Sequence, residues 1–383
     1  MRLKQVGFAI AIAVQVTVVS AFQLAPLGSE FEAKLTNESP TWLSSVAGKV
    51  GVLIKEPVHE EITQLGYGCP VELGQLGADT SCKGADRGFA SPYVIYGVRW
   101  NDLPPFRLRH NEGKNCKKFL TRAAACNVEQ TVRFATQPEC WYCMFTSAQK
   151  TAETRKISGC KREKGYSRGN LLTRSHFGDL QFLHGMASED DVQAPMTRQK
   201  MIEWVEFAWK VSTREIKPQT MLKTIANPTI AEHFGCSEWS VADIYILGRN
   251  DHLLPKLNHI AFGSVLHTIQ DSFAGGHTTR ETAAPAATCD GTDIPKPPRI
   301  VEFHSYAGQD GHKHDARDAR VALIGTNENK WPEAVEATRR LFELNDARAP
   351  WEAAKPYVEC ILELAPEHRP SSSGAEFRRV ANY

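Results

Sequence analysis

The chain has 383 residues, of which 42% are hydrophobic and 23% charged, and its formal net charge is +1. That balance is ordinary for a folded protein with a sizeable core, and the length allows one large domain or two smaller ones. It excludes a disordered polyelectrolyte, and it lacks the basic excess of a dedicated polyanion binder.

Residues 1–21 read as a secretory signal. Arg2 and Lys4 precede the largely apolar run from Val6 to Val19, and Val19-Ser20-Ala21 places small residues before a cut ahead of Phe22. The run is shorter than the roughly 20 residues a spanning helix needs, and Gln15 interrupts it, so no transmembrane anchor is expected after cleavage. Export, to a periplasm or out of the cell, puts ten cysteines in an oxidising compartment. An even number there suggests a disulfide framework, with pairings that spacing alone does not reveal. Seven cysteines lie from Cys69 to Cys160, which marks residues 69–160 as a loop-rich, disulfide-linked insertion. Cys140-Trp141-Tyr142-Cys143 has no second C-x-x-C to complete a zinc site and reads as part of that framework.

Beyond the insertion, helical periodicity dominates. Apolar residues recur three and four apart in Met201–Val211, Ser240–Leu247, Leu257–Phe273, Trp331–Leu344 and Trp351–Leu364. The expectation is one mainly α domain over residues 22–365. Ala283–Arg299, with four prolines, reads as a surface loop, and 366–383 as a flexible tail.

The chemistry concentrates in histidines and carboxylates. His267 and Asp271 stand one helical turn apart, and Gly275-Gly276 then lets His277 approach from another direction. His59 opens a short helix, Asp102 sits in Trp100-Asn101-Asp102-Leu103-Pro104-Pro105, and His176 opens a stretch reaching His184. His314 and Asp318 repeat the H-x-x-x-D spacing. Singly, each has an ordinary alternative as a cap, turn or core contact. Together they offer five His and three Asp. With the cysteines oxidised, nitrogen and carboxylate oxygen are the ligands left for zinc.

In chain order this set resembles the superfamily of secreted zinc-dependent phospholipases C and single-strand-specific zinc nucleases. Those enzymes hold three zinc ions in a helical bundle. The resemblance runs from His59 to Asp318, and its HEEIT, RWND, HFGDLQFLH and HTIQDSF segments look most like a bacterial phosphatidylcholine-hydrolysing branch. It implies a bundle enclosing a multi-zinc site, with His59, Asp102, His176, His267, Asp271, His277, His314 and Asp318 as metal ligands. It also implies Asp271 as a bridging ligand and Asp102 as a possible general base. His184, His312 and Asp310 are expected behind the ligands, and His304 competes with His314 for the last position. One departure is plain: the family also uses its mature N-terminal residue as a ligand, and Phe22 lies 37 residues before His59.

The expected function is a phospholipase C that cleaves phospholipid at a membrane surface to diacylglycerol and a phosphorylated head group, with no stable nucleic-acid partner. A zinc nuclease or phosphomonoesterase would share the ligands. It would need aromatic platforms near the metals, for which Trp100, Trp204, Trp209 and Trp239 are candidates. A metal-stabilised binding protein without turnover is the third reading.

Overall fold

The computed structural model describes residues 58–69, 88–108, 131–134, 138–247, 252–289, 292–309, 313–314, 317 and 333–378. The signal segment, Cys82, Cys116, Cys126, Asp310, His312 and Asp318 lie outside the described residues. The described residues are mainly helical, with ten α-helices and three two-stranded sheets. None of the described helices is long and apolar enough to cross a membrane.

The first two helices carry the early site residues. Helix α1 (Val58–Tyr67) begins directly after Pro57, and α2 (Pro92–Trp100) is capped by Ser91, whose hydroxyl accepts from the Tyr93 N–H. Helix α2 stops short of Pro104-Pro105, because a residue before proline is pushed out of helical geometry. Strands β1 (Phe106–Arg107) and β2 (Thr131–Val132) then pair antiparallel. Helix α3 (Pro138–Ala152) comes next, so the stretch read as loop-rich contains a 15-residue helix. Trp141, Met144 and Phe145 of α3 pack with Phe106 and Phe177 into a second apolar cluster.

Strands β3 (Lys156–Ser158) and β4 (Tyr166–Arg168) lead into α4 (Leu171–Phe177). Helix α5 (Ala194–Ser212) supplies Trp204, Phe207 and Trp209 to the main core, flanked by the short helices α6 (Pro228–Phe234) and α7 (Val241–Tyr245). Helix α8 (Leu257–Asp271) is apolar on nearly every side and lies at the centre, with every residue from Ile260 to Asp271 buried. It packs against α1, α2, α5 and a later helix, α9 (Glu333–Asp346).

The α2–α8 crossing is unusually close. A Cβ on Gly97 would lie 2.1 Å from the Ile260 carbonyl oxygen, and one on Gly263 would lie 2.2 Å from that of Val94. Only hydrogens fit there. This approach brings the Val98 carbonyl to His267 and so couples the fold to the site.

After α8, β5 (Thr278–Arg280) pairs antiparallel with β6 (Ile300–Phe303), and α10 (Trp351–Ile361) closes the core. Disulfides join Cys160 to Cys236 and Cys289 to Cys360, and Cys69, Cys140 and Cys143 are also disulfide-bonded. Among the described residues no cysteine is free. The segment from Pro366, expected to be a flexible tail, is laid against the body as far as Arg378. The Ser371 N–H donates to the Val192 carbonyl at 2.8 Å, and the Ser372 carbonyl accepts from the Ser305 N–H at 2.8 Å. Small polar residues partner buried backbone here, a role that composition does not distinguish from solvent exposure.

Candidate metal centre

Helix α8 contributes His267 and Asp271 from adjacent turns of one face, both fully buried. The turn at Gly275-Gly276 returns His277 to the same place, α1 brings His59, and the chain leaving α2 brings Asp102. His176 enters from the end of α4 and His184 from the 3-10 turn Gln181–His184 after it. Three overlapping trios place one ligand atom per residue within 4.8 Å of each other: His59, Asp102 and His267; Asp102, His176 and His184; His184, His267 and Asp271.

The spacing inside these trios is close. His267 Nε2 lies 2.9 Å from Asp271 Oδ2, and His59 Nε2 lies 3.2 Å from Asp271 Oδ1. His184 Nδ1 is 3.1 Å from Asp271 Oδ2 and 3.4 Å from Asp102 Oδ1. Two ligand atoms each about 2.0–2.1 Å from one tetrahedral ion stand about 3.3 Å apart, so these separations are compatible with ligands sharing an ion.

Hydrogen-bond partners fix which nitrogen faces inward. His267 Nδ1 donates to the Val98 carbonyl at 2.7 Å, and His176 Nδ1 to the Leu172 carbonyl at 3.0 Å. His277 Nδ1 donates to the His184 carbonyl in a short hydrogen bond. A carbonyl only accepts, so each of these Nδ1 atoms holds the proton and leaves a lone pair on Nε2.

Two amide side chains do the same for the remaining rings. His59 Nδ1 meets Gln270 Oε1 at 2.6 Å, while Gln270 Nε2 donates to Thr63 Oγ1 and Thr338 Oγ1. The Thr63 hydroxyl is committed to the His59 carbonyl at 2.7 Å, which fixes the orientation of that amide. His314 Nδ1 meets Gln309 Oε1 at 2.6 Å, with Gln309 Nε2 on the Gly276 and Ser373 carbonyls.

Five imidazoles thus hold their protons outward, as ligating histidines do when a partner orients them. Burial drives the pKa of His59 and of His184 down to about 4, with the charge of His267 adding to it, and lowers His176 as well. Burial alone would raise Asp271, but His267, His277 and His59 outweigh it and hold the carboxyl well below its usual range. The centre therefore sets imidazole nitrogens, five of them turned inward by a partner on Nδ1, around an ionised Asp271. Fully buried Asp271 Oδ1 and the buried His184 Nε2 have no hydrogen-bond partner. A surplus of acceptors in a dry site strongly favours a cation.

Of the residues singled out by sequence, His59, Asp102, His176, His267 and Asp271 meet in the trios. His277 and His314 adjoin them, with ring centroids 4.9 Å apart. His304 is spoken for: Nδ1 donates to the Gly276 carbonyl at 3.0 Å and Nε2 lies 2.8 Å from Thr279 Oγ1. His314 is the late histidine turned towards the centre. His184, expected behind the ligands, stands in two of the trios. Gln270 and Gln309 carry no sequence signal of their role: Gln270 meets partners from distant segments, and Gln309, five residues before His314, is held by the Gly276 and Ser373 carbonyls.

The centre reaches the surface at one side. His176 retains 7% exposure, whereas His184 retains 3% and His59, His267, Asp271, His277 and His314 none. Beside it, Phe177 and Tyr306 form one wall of a cleft of about 580 Å³.

Comparison of the chain with protein-family models, with curated proteins and with solved structures finds no match.

Proposed function

We propose that the protein is a zinc-dependent hydrolase of phosphate esters, and that its substrate is a phospholipid of the phosphatidylcholine type. The observation that carries the reading is the convergence of outward-protonated imidazoles on Asp102 and Asp271 in a buried centre. The His and carboxylate donor set fits zinc, and its overlapping trios fit more than one ion, as the three zinc ions of the phospholipase C and nuclease superfamily would require. His59, Asp102, His176, His184, His267 and Asp271 would hold two of them. His277 and His314 would hold the third, with Asp318 expected beside them.

Bound zinc would act as a Lewis acid on the phosphate and lower the pKa of an attacking water. The chain's own residues do the rest. Asp271 touches His59, His184 and His267 from the centre of the cluster, which suits it to bridge. Asp102 lies 3.8 Å from Nε2 of His176, the most exposed of these residues, and would orient the water and take its proton. Phe177 and Tyr306, packed against the rings of His176 and His314, would offer apolar surface to the glycerol backbone.

A nucleic-acid substrate has less support. Trp100, Trp204 and Trp209 are buried in the core, where Trp100 stacks on Trp204 at 5.9 Å, and so offer no face to a base. Half-buried Trp239 lines a separate cavity that no candidate ligand borders. The test is phosphocholine release from phosphatidylcholine by purified protein, with chelation and zinc add-back. Release that chelation abolishes and zinc restores is the expected result. A verified zinc-loaded sample that releases nothing overturns the substrate assignment.

A further inference from the structure

The cleft beside the metal centre is bordered by a loop whose charge the proposed reaction does not use. Residues 153–168 hold six basic side chains (Arg155, Lys156, Lys161, Arg162, Lys164 and Arg168) against Glu153 and Glu163, in a chain whose net charge is +1. The loop is built in place. Strands β3 and β4 pair in parallel, Ile157 is buried beneath them, and Gly165 turns the chain at φ +91°. The Cys160–Cys236 disulfide clamps the loop to the segment after α6.

Lys156 pairs with Glu189, but Arg155, Arg162 and Lys164 are exposed and have no ion pair among the described residues. Like charges held together by a clamp repel, so such a loop suits an external anionic surface. The loop's position narrows the choice. Exposed Arg155 and Lys161 line the cleft together with buried Phe177, Phe182 and Met186, and Met196, which also lines it, is 56% exposed. Phe177 is the chain neighbour of His176, and the Tyr306 ring lies 5.5 Å from that of His314. Lys156 and Lys200 at this cleft are matched by Glu189 and Glu232. Arg155 and Lys161 on the loop side, which have no ion pair among the described residues, thus meet an exposed thioether and apolar lining near the metal centre.

We propose that this loop docks the protein on an anionic phospholipid surface, its cations pairing with lipid phosphates and carboxylates while Met196 enters the acyl boundary. For the hydrolysis that docking would serve, the proposal rests on the phospholipid reading of the metal centre. A polynucleotide is the other polyanion of this charge, but it needs an aromatic platform. The loop's one aromatic, Tyr166, is half-buried with Lys161 over its ring at 5.2 Å.

The test is flotation of the zinc-loaded protein with vesicles of phosphatidylcholine alone or with about one-third phosphatidylserine, a leaflet charge that attracts basic segments. Each basic residue near such a surface contributes roughly five-fold in partitioning, so Arg162→Glu with Lys164→Glu should weaken binding by at least about 25-fold. Raised salt should erase the wild-type preference for anionic vesicles. Arg162 and Lys164 line neither the cleft nor the metal centre, so hydrolysis of soluble dihexanoyl phosphatidylcholine should be unchanged. Arg162→Gln with Lys164→Gln should lose binding to an intermediate degree, with thermal unfolding reporting that both variants fold.

Equal vesicle binding by wild type and the reversed variant overturns the proposal, as does the absence of any preference for anionic vesicles. Retention of a single-stranded oligonucleotide without vesicle binding also overturns it. Vesicle binding without hydrolysis would sink the catalytic reading and leave docking intact.

Discussion

Two buried clusters in this molecule combine imidazole with carboxylate, and they behave as opposites. Around Asp179, Arg174 donates to both carboxylate oxygens at 2.8 and 2.9 Å, His233 Nδ1 donates at 2.8 Å, and Lys200 lies 3.2 Å from His233 Nε2. Every acceptor there meets a donor, and nothing is left for an ion. Around Asp271, His59, His267 and His277 turn their lone pairs inward and their protons towards carbonyl and amide oxygens, while His184 Nδ1 is placed to donate to the carboxylate at 3.1 Å. Both share imidazole and carboxylate, but the first adds the permanent donors Arg174 and Lys200. The balance of donors against acceptors is what separates a structural network from a metal centre.

That difference is open to direct attack. Asp271→Asn replaces an anionic ligand with an amide that brings its own donors into the surplus of acceptors. Phospholipid hydrolysis should fall by at least about a thousand-fold, or roughly 4 kcal/mol of barrier. Unfolding of the zinc-free protein should shift little, and retained turnover would sink the assignment of Asp271 as a bridging ligand. Asp179→Asn should do the reverse. It strands the buried Arg174 and should destabilise the fold by about 3–5 kcal/mol in denaturant unfolding, with zinc content unchanged.

The same carboxylate sets a pH dependence. Burial pushes Asp179 up, but Arg174 and His233 together outweigh it and hold the folded carboxyl far below its usual value. Its contribution is therefore present above the unfolded pKa of about 3.9 and is lost as pH falls below that towards the folded value. Wild type should lose stability below about pH 4 more steeply than Asp179→Asn. Parallel curves would show that the network does not carry this linkage.

Gly263→Ala tests how the centre is positioned. The added methyl would meet the Val94 carbonyl oxygen at 2.2 Å and the Val98 nitrogen at 2.5 Å, so α2 and α8 must separate. A cost near 3 kcal/mol is expected, at about the upper end of ordinary overpacking, because both neighbours are backbone. Zinc affinity should fall with it, since Val98 orients His267. Wild-type zinc affinity in a destabilised variant would separate packing from positioning.

How much of this was legible in the sequence varied with distance along the chain. Helix α8 was visible as an apolar run, and its His267 and Asp271 as a one-turn pair, because both signals are local. The Gly97–Gly263 crossing was not, because it joins segments 166 positions apart that carry no mutual mark. His184 reads from sequence as lying behind the ligands, because ligating imidazoles need an oriented partner and His184 follows His176 in what reads as one helical stretch. The angle of the turn that returns the ring to Asp102 and Asp271 is a tertiary property. The serines near residue 372 looked like solvent-facing residues until β6 and the Ser305 backbone supplied their partners.

The smallest expected effect tests the idea most finely, because it touches no ligand atom. Gln270 accepts from His59 Nδ1 and is itself held by Thr63 and Thr338. Gln270→Leu keeps much of the side-chain volume but removes the acceptor, so the His59 proton can settle on either nitrogen and the ring loses its anchor. Losses of about 10- to 100-fold in zinc affinity accompany such outer changes elsewhere, and the same range is expected here by competition with a chromogenic chelator. Gln270→Glu keeps an acceptor for His59 Nδ1 while giving up donation to the two threonines. It should recover zinc affinity without recovering stability. If both variants lose affinity equally, Gln270 acts through packing with α1 and α9. If only the leucine variant loses it, the proton on His59 Nδ1 is what the amide controls.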